Sequence, residues 1–186
     1  MASQRVLVPL AQGCEELEAV TIIDLLRRAG IEVITAGLDT QPVRGSRGTV
    51  LIPDTSLDEV MTQAFDMVVL PGGLPGADHL EADVRIQQLL MKMHVSGNYV
   101  AAICAAPKVL ASAGLLKGKQ VTCFPGVLDG MGIDGMIVKT DPVVQDGNVI
   151  TSRGPGTAMD FSLSLIEKLV GSDKRDEVEQ SLQRPG

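Results

Sequence analysis

At 186 residues the chain is long enough for one domain with a single sizeable core, and at 45% hydrophobic it reads as globular rather than disordered. A net charge of −7 argues against binding nucleic acid or an anionic membrane surface through bulk charge. The apolar run in MASQRVLVPLAQG is too short for a signal peptide and no apolar stretch is long enough to span a bilayer, so a cytoplasmic location is expected.

Apolar, β-branched runs then alternate with helical patterns. RVLVPL (5–10) reads as a strand, and a helix follows over 15–30 with Ala19, Ile22, Ile23 and Leu26 on one face and Gly30 as its stop. Residues 31–38 make a second strand, and 43–53 a short β excursion with glycine turns. A short helix opens at Ser56, where Glu59 three residues on completes a capping box. FDMVVLPGG (65–73) gives a buried strand that runs into the loop LPGGLPGAD (70–78). The helix over 83–97 aligns Ile86, Leu89, Leu90 and Met93. YVAAIC (99–104) is the next strand, AAPKVLASAG (105–114) the next helix and KQVTCFPG (119–126) another strand. GMIVKT (135–140) and NVITSR (148–153) read as late strands with the turn QDGN between them. Residues 154–171 form a long final helix, and the polar tail 172–186 a short helix with a frayed end.

This alternation implies a mostly parallel sheet covered on both faces, in one domain over 1–186. In open α/β sheets the site lies beyond the carboxyl ends of the strands. Three features converge there: the loop after 5–10, the PGG after 67–70, and Cys104.

Three cysteines, Cys14, Cys104 and Cys123, cannot all pair within one chain; with no CxxC and no histidine at metal-ligand spacing, free thiols and no metal are expected. Around Cys104 the pattern is small-x-Cys-x-small (Ala102, Ala106), with Pro107 suited to the first turn of a helix. This has the logic of a nucleophile elbow, in which the strand–helix turn is so sharp that only small side chains fit around it. The same residues also suit an inert core thiol. A free thiol of pKa about 8.5 is only ~3% ionised at pH 7, and a helix start supplies at most about 2 kcal/mol of the roughly 4 needed to lower it by ~3 units. A reactive Cys104 therefore needs a partner. Glu15, Glu16 and Glu18 sit in the first turn of the 15–30 helix, where carboxylates also serve the helix dipole. Glu18 differs because it borders the apolar face, four residues before Ile22; buried and protonated, it could donate to a thiolate. The 70–78 loop offers consecutive N–H groups for a small oxyanion, or is simply a tight turn. RGPGTA (153–158) is half a dinucleotide fingerprint without its third glycine or acidic residue, and reads as the start of the last helix.

GCEELEAV, SRG (46–48), VVLPGG, AAICAAP and TSRGPGTAMDF occur in the order seen in the ThiJ/PfpI superfamily, and the chain resembles most the DJ-one branch, from residue 5 to about 175. The resemblance implies a flavodoxin-like sandwich, a homodimer and no cofactor. It implies that Cys104 is the oxidation-prone nucleophile, Glu18 its protonated partner, and the amides of Gly73 and Ala105 the oxyanion donors. It places Arg47 near the pocket, and Glu15, Arg28, Arg153 and Pro155 at the pocket or dimer rim. The chain departs from relatives at two positions where they carry histidine and it has Ala105 and Phe124, so no Cys–His pair is expected; His79, in a loop, and His94, late in a helix, read as surface or helix-end residues. The function implied is glyoxalase- or deglycase-type detoxification of small carbonyl compounds or glycated protein and nucleotide adducts, with a stress response built on it. The alternative is a redox sensor or redox-activated chaperone working through Cys104 sulfinate. No membrane or nucleic-acid partner is expected.

Overall fold

The apolar runs become the strands of one seven-stranded sheet in a computed structural model that describes residues 4–184. In chain order the elements are β1 (Arg5–Leu10), α1 (Glu16–Arg28), β2 (Glu32–Gly37), β3 (Val43–Arg44), β4 (Val50–Leu51), β5 (Thr55–Ser56), α2 (Leu57–Val60), β6 (Met67–Leu70), α3 (Gly76–Ala82), α4 (Val84–Val95), β7 (Tyr99–Ile103), α5 (Pro107–Ser112), β8 (Gln120–Val121), β9 (Ile137–Val138), β10 (Val143–Asp146), β11 (Val149–Ser152), α6 (Ala158–Val170) and α7 (Ser172–Ser181). The main sheet runs β10-β11-β7-β6-β1-β2-β5, parallel except for β10, which is antiparallel to β11. Helix α1 packs on α6, while α3, α4 and α5 pack on one another. The result is a three-layer, flavodoxin-like α/β sandwich.

Burial follows from this layering. A parallel sheet is covered on both faces, so its central strands are apolar throughout. Val6–Val8, Met67–Leu70 and Val100–Ile103 are fully buried. Each valine, leucine, isoleucine or methionine among them contributes about 1.5–3 kcal/mol of transfer free energy. In α1 the same driving force buries Ala19, Ile22 and Leu26. The register sets the site: Leu70 pairs with Ala102, and Ile103 with Ser152. The carboxyl ends of β6, β7 and β11 are therefore level, and the segments that follow them meet.

Four local expectations are corrected. Ser56 opens α2 but makes no side-chain cap bond, so the Ser56–Glu59 capping box is absent and the helix is a single turn. Ser56 is instead paired as a strand residue with Gly37. The glycine- and proline-rich 70–78 loop gives way to α3 at Gly76, which puts His79 on a helix. The strand expected over 119–126 shrinks to β8, which pairs with β9 outside the main sheet. β9 is not the hairpin partner of the last strand; that role falls to β10, across a turn at Gly147 with φ +63. The last two residues of the expected frayed tail lie outside the described residues.

Candidate active site

Cys104 sits where β7 ends, with φ +63, in the left-handed region. For a residue with a Cβ this costs roughly 1–2 kcal/mol. The surroundings impose it. The Cys104 N–H donates to the Ser152 carbonyl (3.0 Å), and the Cys104 carbonyl accepts from the Phe124 N–H (2.9 Å). The Ala106 N–H closes the turn on the Ile103 carbonyl (3.0 Å), and Pro107 opens α5. Ala102 and Ala106 are fully buried, so larger side chains have no room there. The strand–helix elbow read from the small residues is thus a strained backbone held on both sides.

Glu18 comes from the helix after β1, two strands from β7. It stands in the first turn of α1 and is wholly buried. One carboxyl oxygen, Oε2, accepts from the Gly72 N–H at 2.8 Å. The other, Oε1, is buried with no hydrogen-bond partner among the described residues. Gly72 is obligatory here: a Cβ would lie 2.7 Å from the Cys104 Cβ and 2.8 Å from Glu18 Oε2. Burial raises the Glu18 carboxyl to about 7, against the opposing pull of the Gly72 N–H and the Cys104 thiol.

The thiol does not follow the simple expectation of a lowered pKa. Burial first, then the Glu18 charge, push Cys104 up to about 12, although the Gly73 and Ala105 N–H groups at the sulfur pull it down. The two groups act as one proton-sharing pair that loses its first proton near 7 and its second near 12. Between those limits one proton remains, on either the oxygen or the sulfur. Protonation of Glu18 removes the charge repulsion; burial alone then opposes a thiolate that faces two amides.

Glu15 and Glu16 turn out to have distinct tasks. Glu15 caps α1, accepting from the Glu18 N–H (2.8 Å), and its own N–H donates to the Gly72 carbonyl (2.9 Å). Glu16, read from the sequence only as a dipole partner, clamps the β3–β4 turn. Its carboxylate accepts from the Arg47 N–H (3.0 Å), the Thr49 N–H (3.2 Å) and the Ser46 hydroxyl (3.3 Å). Burial alone would raise this carboxyl, but those donors hold it at about 2. The signal in the sequence was Gly45, whose added Cβ would lie 2.5 Å from Glu16 Oε2. Arg47 is exposed on that turn, and the Ser46 N–H ties the turn to the Cys14 carbonyl (2.7 Å).

Arg153 follows Ser152 directly, half-buried, and its guanidinium donates to the Thr140 carbonyl (3.1 Å); Pro155 begins the turn before α6. Arg28 does not share this end of the fold. It is ten residues beyond Glu18 on α1, about 15 Å by helix rise, and pairs with Asp24 at 2.6 Å. Of the two places expected for it, the pocket or the dimer rim, this end of α1 lies away from the pocket. Cys14 and Cys123 are buried thiols whose pKa burial raises, Cys14 to about 11. His79 shares Nδ1 with the Gln12 carbonyl (2.9 Å), and no histidine is among the groups acting on the Cys104 thiol. A hollow of about 380 Å³ between Leu10, Gln12, Leu38, Asp39, His79 and Asp83 lies at the ends of β1 and β2 and does not include Cys104. Among the described residues no three His, Cys, Asp or Glu side chains group as metal ligands, and no helix is long and apolar enough to cross a membrane.

A profile of the DJ-1/PfpI family matches residues 4–168. The chain is 45% identical to protein dj-1beta of Drosophila melanogaster over 97% of both chains, and the crystal structure of that protein superposes with a TM-score of 0.94 over the whole of each, at 42% identity. It is 39% identical to a Caenorhabditis elegans protein named glutathione-independent glyoxalase DJR-1.2, over 94% of both. A Toxoplasma gondii structure described as DJ-1, oxidized, is 35% identical with a TM-score of 0.92, over 99% of this chain and all of that one. The chain belongs to the DJ-1/PfpI family.

Proposed function

We propose that this protein is a cysteine-dependent enzyme that converts small α-oxoaldehydes to hydroxy acids without a cofactor, with Cys104 as nucleophile and Glu18 as proton carrier. In this reading the pair's single proton rests on Glu18 Oε1 and the charge on sulfur. The observation that carries it is the asymmetry of the buried carboxyl: Oε2 accepts from Gly72, whereas Oε1 has no partner among the described residues, so a charge there is uncompensated and a proton removes that cost. The thiolate adds to the aldehyde carbon of methylglyoxal, forming the C–S bond of a hemithioacetal, and the new alkoxide takes the Glu18 proton. The Gly73 and Ala105 amides stabilise the charge as it moves from sulfur to oxygen. Glu18, now a carboxylate, moves the carbon-bound proton to the neighbouring carbon while the hydroxyl proton passes to the neighbouring oxygen, leaving a lactoyl thioester. Water cleaves the thioester to lactate and restores the pair. Methylglyoxal plus water gives lactate, with no net oxidation. The glyoxalase name of the Caenorhabditis elegans relative supports this class of reaction. The same addition to early glyoxal adducts of protein or nucleotide would be a deglycase activity serving carbonyl stress.

The test follows thiolate ultraviolet absorbance and the carboxylic C=O infrared band across pH, alongside methylglyoxal consumption. We expect thiolate to appear well below the pH at which a lone buried thiol ionises, while the Glu18 C=O band persists. Cys104→Ala abolishes turnover, and Glu18→Gln lowers it by about 10²–10⁴. A carboxylate forming near 7 with the thiol intact to about 12 would overturn the assignment.

A second reading is a redox sensor. The same two amides would accept sulfinate oxygens in place of a reacting alkoxide, and the oxidized Toxoplasma gondii relative supports it. Stoichiometric Cys104 oxidation without carbonyl turnover would favour this reading, with a chaperone function as its possible output.

We further propose a cytoplasmic homodimer. It is supported by an apolar patch of Leu17 and Val20 on α1 with Val50 and Ile52 at β4, each about half-exposed or more.

A further inference from the structure

Phe124 is the exposed aromatic of this chain. Phe65 and Phe161 are buried and Tyr99 is half-buried, whereas Phe124 is 48% exposed. Cys104 itself fixes its position. The Cys104 peptide is gripped by the Ser152 carbonyl on one side and the Phe124 N–H on the other. The Phe124 ring then closes on Gly154, where an added Cβ would lie 3.4 Å from Cδ2. The ring thus bridges the two segments that hold the nucleophile's backbone from the β11 side. On the β6 side Gly73 presents its N–H to the sulfur, and the next residue, Leu74, is 58% exposed. β11 and β6 flank β7, so the segments that carry these two uncovered apolar residues lie on opposite flanks of Cys104.

We propose that Phe124 and Leu74 form an apolar rim at the entrance to Cys104 and select carbonyl compounds bearing an aryl or branched-alkyl substituent over the bare dialdehyde. The proposal rests on the carbonyl-directed reading above and names its substrate class. An apolar substituent on the aldehyde removes water from the ring and from Leu74, and an aryl group adds an offset or edge-on contact with Phe124. Glyoxal has no substituent with which to make either contact. Gly154 leaves the ring its position against the backbone, so the surface is prearranged rather than formed on binding.

The experiment compares kcat/KM for phenylglyoxal and glyoxal in the native protein, Phe124→Ala, Phe124→Leu and Leu74→Ser. The phenylglyoxal-to-glyoxal ratio is expected to fall about three- to tenfold in Phe124→Ala, the range of one aromatic contact, and by less in Phe124→Leu. A second arm needs no turnover: the rates at which iodoacetamide and its N-phenyl analogue alkylate Cys104, resolved by mass spectrometry. The N-phenyl-to-parent ratio is expected to fall in the same variants. Ratios unchanged in both arms overturn the rim. A native protein that turns over neither carbonyl, but whose alkylation ratio falls in Phe124→Ala, leaves the rim standing and overturns the reaction.

Discussion

Glu16 and Glu18 are two residues apart in one helical turn, yet their environments drive them in opposite directions. Glu18 is raised from 4.5 to about 7 by burial, while Glu16, surrounded by donors, is held at about 2. The signs give a test by pH. For a raised carboxyl, the folded state holds a proton that the unfolded state has released. For the Glu18–Cys104 pair the stabilisation is full below pH 4.5 and is lost as pH rises through about 7, whichever atom keeps the remaining proton. A shift of this size corresponds to at most about 3 kcal/mol. Glu18→Gln is therefore expected to flatten the decline in stability between pH 5 and 8, and to melt above the native protein at pH 8. Glu16 is the reverse: its contribution is present above 4.5 and disappears as pH falls toward 2. Urea unfolding of the single variants at pH 3, 5 and 8 separates the two. GCEELEAV sets Glu18 apart, because it borders the apolar face four residues before Ile22, but it leaves Glu16 as a dipole partner; only its chain partners, Gly45–Thr49, reveal the clamp.

At the scale of elements, the β3–β4 turn depends on a helix that is remote in sequence. Its amides at Arg47 and Thr49 find their acceptor on Glu16, and a charge-assisted bond contributes about 1.5–3 kcal/mol. Glu16→Gln puts a donor where acceptors are required. We expect that variant to lose about 2 kcal/mol and to show faster hydrogen exchange at Arg47 and Thr49, with the β7 amides unchanged. The long elements were legible because burial repeats along them: β1, β6 and β7 as continuous apolar runs, α1 and α4 as stripes. Short elements were not. Ser56 and Glu59 satisfy a capping rule locally, but strand pairing with Gly37 takes Ser56 first. The α3 start is hidden by Gly72, Gly73 and Gly76, which are required for close approach to Cys14, Glu15, Glu18 and Cys104 and not for turning alone. Likewise QDGN was expected as the turn between two late strands, but Gln145 and Asp146 belong to β10, which β11 offers an edge.

For the molecule as a whole, the alternation of strand and helix was enough to specify a layered parallel sheet, and the sheet's register delivers three distant segments to one point. What the alternation could not show is the outer surface. Val20, Ile23, Leu51 and Ile52 line one shallow hollow, and Leu17 lies between the clamp and the proton carrier in the same turn. If this face joins two copies, Val20→Asp with Ile52→Asp should convert a dimer to a monomer in sedimentation at micromolar concentration. Carbonyl turnover should fall with it, because the face that would be uncovered includes Leu17, in the turn that carries Glu18. The left-handed backbone at Cys104 has a consequence at this same scale. Glycine adopts that conformation freely, so replacing the sulfur-bearing side chain with hydrogen relaxes the peptide even as it abolishes the chemistry. Durability alone would favour glycine there; a cysteine in that conformation has to be held by something the sulfur does.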